Sequence, residues 1–116
     1  MKNNTYFQTM RETSLPYTDG QAKAYLAWIT SVRNESSTFE VQDLPWDRDI
    51  HDFVETLRAA GISEFAVTDQ STALMRNLHQ LVGEGCTMQG LCKVSRSGAC
   101  WGEESITKHD GILFRT

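Results

Sequence analysis

The 116 residues, 40% hydrophobic and 22% charged, have the composition of one ordinary globular domain and are too few for two. Two prolines and no low-complexity tract exclude broad disorder. The net charge of −4 is concentrated in residues 35–70, with nine acidic and two basic side chains, and gives no basic patch of the kind a nucleic-acid binder needs.

Met1 to Thr5 holds one positive charge and no apolar h-region, so no secretory signal is read there. The apolar runs are only a few residues long, which excludes a transmembrane helix. Three cysteines without an export signal are read as free thiols in a reducing cytoplasm.

Residues 5–13 are read as a short helix with Tyr6, Phe7 and Met10 on one face, ended by Ser14-Leu15-Pro16, and residues 1–17 are expected to be peripheral. A second helix follows Thr18 or Asp19 as N-cap. Its buried stripe is read as Ala22, Tyr25, Leu26, Ile29 and Val32, with Trp28 off the stripe. Asn34-Glu35-Ser36-Ser37 should end it. Residues 38–42 form a short strand with Phe39 and Val41 on one side.

The third helix carries the apolar face Trp46, Ile50, Phe53, Val54, Leu57 and Ala60, and Gly61 is its left-handed C-cap. Residues 62–68 read as a buried strand. A fourth helix, capped by Asp69 or Ser71, presents Leu74, Met75, Leu78, Leu81 and Val82 and stops at Gly83-Glu84-Gly85. Residues 88–94 are a strand, 95–108 a polar connection and 111–115 a closing strand. The order α-α-β-α-β-α-β-β predicts an α/β or α+β domain spanning 1–116. A small mixed sheet of about four strands is covered by three or four helices, with the last two strands as an edge hairpin.

Five groups of residues invite chemistry. Cys86, Cys92, Cys100 and His109 lack the tight Cys-x₂₋₄-Cys pair of zinc sites, so no metal is assigned. A cysteine nucleophile would need His51, His79 or His109 brought to it, and no nucleophile motif marks one. Thr68-Asp69-Gln70-Ser71-Thr72 joins a strand end to a helix start. There, open α/β sheets bind ligands, but Asp69 and Ser71 are ordinary helix-capping residues, and no glycine lets a phosphate approach the backbone. Glu40, Asp43, Asp47, Asp49, Asp52 and Glu55 form an acidic run, read as a surface for a basic protein partner. Trp101, between Gly98 and Gly102, is a candidate interface anchor. No Walker loop, G-x-G-x-x-G, H-E-x-x-H or G-x-S-x-G occurs, so no catalytic residue and no cofactor is assigned.

The run from Phe65 to Met75, with Gly90-Leu91-Cys92 and Leu44-Pro45-Trp46, resembles a group of small uncharacterised bacterial proteins of the domain-of-unknown-function kind. The resemblance implies an accessory role in a mobile element and carries no activity or site. The leading expectation is a non-enzymatic interaction or inhibitory module, anti-CRISPR-like or DNA-mimicking in one form. A ligand-binding domain or enzyme with a polar site at 68–72 is the second. A nucleic-acid binder using Arg76, Lys93, Arg96, Lys108 and Arg115 is the third, disfavoured by charge.

Overall fold

The computed structural model describes residues 3–13, 16–45, 47–68, 74–97 and 107–116. Helix α1 (Thr5–Glu12) starts at Asn4, whose side chain accepts the Phe7 N–H. Helix α2 (Asp19–Arg33) opens with a reciprocal capping box between Thr18 and Gln21. Strand β1 is Glu40–Val41, and a 3-10 turn Asp47–Asp49 leads into α3 (Ile50–Ala59). Strand β2 (Glu64–Val67), helix α4 (Leu74–Gly83) and the long strands β3 (Thr87–Arg96) and β4 (Thr107–Arg115) complete the order. Four helices and a four-stranded mixed sheet therefore make an α+β fold with the expected element order.

Helices α2, α3 and α4 end alike. The residue after the cap has positive φ (Glu35, Gly61 and Gly85), and the next N–H (Ser36, Ile62, Cys86) reaches back to Ser31, Leu57 and Leu81 carbonyls. This Schellman geometry satisfies carbonyls that a helix end would leave open. Gly61 fits the left-handed region at no steric cost, as read from the sequence; Glu35 does not.

The sheet order is β1-β2-β4-β3. β1 runs parallel to β2, while β4 is antiparallel to both β2 and β3, so β1, β2 and β3 all point the same way. β3 and β4 form the expected hairpin, but β4 inserts between β2 and β3, so the segment 62–94 does not place its two strands side by side. β4 begins at Thr107 and β3 continues to Arg96, both within the stretch read as a loop or long hairpin connection.

One face of the sheet carries Phe39, Val41, Phe65, Val67 and Phe114, all essentially buried. Phe65 stacks on its cross-strand partner Phe114 at 5.6 Å and meets Phe53 of α3 edge-on. Phe7 of α1 stacks between Trp28 and Phe39, so α1 supplies a fully buried core residue and is not merely peripheral.

The buried side of α2 differs from the expected stripe. Gly20, Ala24, Ala27, Trp28 and Ser31 are inside, whereas Leu26 is 55% exposed. Tyr25, Ile29 and Val32 pack only partly against the core. The cause is the close approach of α3: a Cβ on Gly20 would lie 2.3 Å from the Asp49 carbonyl oxygen and 2.7 Å from the Phe53 nitrogen. Small residues let the helices meet, and that requirement overrides hydrophobicity. On α4, Leu81 is buried while Met75 and Val82 are exposed.

Candidate functional site

β1 and β3 are the outer strands of the sheet, yet they are tied together at one end. The Ser37 N–H donates to the Ser95 carbonyl, the Ser95 N–H to Ser37 Oγ, and the Ser97 N–H to the Asn34 carbonyl. The sheet is thus drawn round until the end of β3 meets the segment entering β1. Glu40 and Arg96 face each other across this junction.

Period-two alternation puts Glu40 on the face opposite Phe39 and Val41, together with Ala66, Thr68 and Gly111. Gly111 belongs there by size, since a Cβ would sit 3.2 Å from Thr68 Cγ2 and 3.5 Å from Ala66 Cβ. Glu40 is fully buried. Its Oε2 accepts from Arg96 Nε at 2.9 Å and from Ser36 Oγ at 3.0 Å. Its Oε1 accepts from Arg96 Nη2, from Thr68 Oγ1 at 2.9 Å and from Gln42 Nε2 at 3.2 Å. The backbone N–H of Glu40 donates to Ser31 Oγ, itself buried. A carboxylate removed from water needs such saturation, and this one has it.

One buried carboxylate therefore orients Arg96, Thr68 and Gln42. Those three, with His109 and Asp110, line a pocket of about 320 Å³ at the carboxyl ends of β1, β2 and β3 and the start of β4. Burial pulls the Arg96 guanidinium below its ordinary value, but arginine remains charged. His109 Nε2 lies 3.1 Å from Thr107 Oγ1. Alternation places the Asp110 carboxylate on the other face, where it pairs with its cross-strand neighbour Lys93.

Among the expected site residues, Thr68 stands in this pocket. Asp69, Gln70, Ser71 and Thr72 lie outside the described residues, as do Trp46, Cys100, Trp101 and the side chain of Asp47. One member of the acidic run leaves the surface. Glu40, read as exposed, is a buried ion-pair member, because its alternation points it under Arg96 rather than to water. Asp43 pairs with Lys23 and Glu55 with Arg58. Asp49 and Asp52 are half-buried at the start of α3.

Among the described residues no three His, Cys, Asp or Glu side chains gather as a metal site. Burial pushes the thiols of Cys86 and Cys92 up, away from thiolate character. His51 is held by Glu84 at 2.7 Å rather than by a cysteine. The sequence missed Gln42 and the organising role of Glu40, and it grouped Arg96 and His109 with other chemistry. Only the three-dimensional pairing of residues 56 apart brings them together.

Residues 23–116 match the model of a family described as a domain of unknown function, DUF7698. The chain belongs to that family. The DUF7698 region begins within α2, so α1 and its core residue Phe7 precede it, while every residue of the pocket and the Glu40–Arg96 pair falls inside it. Comparison with curated proteins and with solved structures gives no match for the DUF7698 chain. No helix of the described residues is long and apolar enough to cross a membrane.

Proposed function

We propose that this DUF7698 protein is a small, non-enzymatic domain that binds a polar small molecule in the strand-end pocket. The observation that carries this reading is the convergence of Gln42, Thr68, Arg96 and His109 on a cavity of about 320 Å³, with three of the four held in place by one buried carboxylate. A pocket at the low end of the small-molecule range with a few fixed polar groups is the usual form of a ligand site. Its place at the carboxyl ends of parallel-running strands agrees with where open α/β sheets bind ligands, a fold-level analogy. Two free thiols, Cys86 and Cys92, fit a reducing compartment, and we place the domain in the cytoplasm. The test is a screen of polar small molecules against the ¹⁵N-labelled full chain. Saturable amide shifts should cluster at Gln42, Thr68, Arg96 and His109; shifts confined to other surfaces would refute the assignment.

A second reading, a protein-interaction module, draws support from exposed apolar side chains: Met75 and Val82 on α4, Met88 and Leu91 on β3, the last 88% exposed. Ion pairing within the acidic run moves this reading away from electrostatics. Partner capture should then survive high salt and charge reversal at Asp47, Asp49 and Asp52, and fail with Leu91→Lys.

A further inference from the structure

We infer that the pocket takes a small organic carboxylate bearing a hydroxyl or amino group, with the carboxylate seated on the outward edge of Arg96; this rests on the pocket being a ligand site. A guanidinium carries five N–H donors in a planar fork. Two of them, on Nε and Nη2, grip Glu40. The second N–H of Nη2 and both on Nη1 have no partner among the described residues; the side chain is one-fifth exposed, and Arg96 lines the cavity. One N–H from each Nη lies along the end of the fork, the spacing that receives a carboxylate through two parallel bonds.

Glu40 itself offers nothing to a ligand, because both its oxygens are fully engaged. Its demands fix what its neighbours present. An ionised carboxylate only accepts, so the Thr68 hydroxyl hydrogen and the Gln42 nitrogen must turn toward it. Thr68 Oγ1 lone pairs and Gln42 Oε1 are left as acceptors near the Arg96 edge. Such acceptors oppose a further oxyanion oxygen and receive an O–H or N–H. Hence the ligand carries one oxyanion group and a neighbouring donor.

Charge selects carboxylate over phosphate. The positive charge of Arg96 is already matched by Glu40, and Asp110 is matched by Lys93. A monoanion is tolerated beside a partly satisfied guanidinium, whereas a phosphate group brings about two negative charges.

The test titrates the ¹⁵N-labelled full chain with lactate, inorganic phosphate and glycerol, following backbone amides and the Arg96 side chain. Lactate should saturate, shift Gln42, Thr68, Arg96 and His109, and bind at least about tenfold tighter than phosphate. Arg96→Lys, which keeps the charge against Glu40 but loses the fork, should weaken lactate about tenfold or more. Gln42→Leu, an exposed position, should weaken it several-fold with the fold intact, and Arg115→Gln, at the far end of β4 from the pocket, should leave it unchanged. Phosphate binding as tightly as lactate, or lactate binding indifferent to both Arg96→Lys and Gln42→Leu, overturns the inference. Glycerol saturating the pocket where lactate does not also overturns it while leaving the ligand-binding reading in place. Silence of all three probes at these residues overturns both.

Discussion

Glu40 on β1 and Arg96 on β3 form a two-point ion pair that joins the opposite outer strands of the sheet. The pair lies with Glu40 wholly out of water, so its energetics are those of a buried bridge rather than a surface one. Removing either charge alone strands the other, which is the costly event; removing both leaves no buried charge, only the smaller cost of Ser36, Thr68 and Gln42 losing their acceptor.

Arg96→Met or Glu40→Leu alone should each cost about 3–5 kcal/mol of stability. The double variant should be less destabilised than the sum of the singles, with a coupling of about 2 kcal/mol. Urea denaturation of the four proteins measures this. Strict additivity would place the two side chains in solvent.

Gly20→Ala should destabilise the domain by about 1–3 kcal/mol, because its new methyl meets the α3 backbone and not a movable side chain. Thermal unfolding reads the change, and Gly83→Ala, with open space around it, is the control.

The sequence made α3 legible almost completely. Ile50, Phe53, Val54 and Leu57 recur at helical spacing, are all buried, and stop at Gly61 with φ of +76°. It misled on α2 because periodicity scores apolar size, whereas the buried side of α2 is mostly small: Gly20 meets the α3 backbone, Ser31 bonds the Glu40 backbone, and Ala24 and Ala27 are buried between them. Trp28 looked off-stripe because the groups that cover its ring, Phe7 and Arg11, come from α1. The acidic run looked like a surface because a linear count cannot see that Arg96 lies beneath the same fold junction as Glu40. Thr68 was found from its place at a strand end; Gln42, an ordinary edge residue in sequence, carried no signal.

Glu35 holds a left-handed backbone, φ of +47°, at the end of α2. Glu35→Gly should therefore stabilise the protein by about 1 kcal/mol, less the exposed hydrogen bond that Ser97 Oγ donates to Glu35. Chemical denaturation should show a raised midpoint at constant slope.

His51 should titrate above the ordinary value of 6.5, first because Glu84 hydrogen-bonds its ring and then because of that carboxylate's charge. A raised folded value means that the stabilising contribution is complete below the unfolded value and is lost as pH rises through the folded one. An NMR titration of the ring protons checks this, and Glu84→Gln should bring the midpoint back down.

The most direct measurement is ¹⁵N-resolved observation of the Arg96 guanidinium in the unliganded protein. If Glu40 fixes this side chain as the organiser of the pocket, the Arg96 Nε–H will exchange slowly with water and its signals will stand apart from those of exposed Arg115. Both properties will disappear in Glu40→Gln. An Arg96 that exchanges and averages like Arg115 in the wild-type chain would contradict the account.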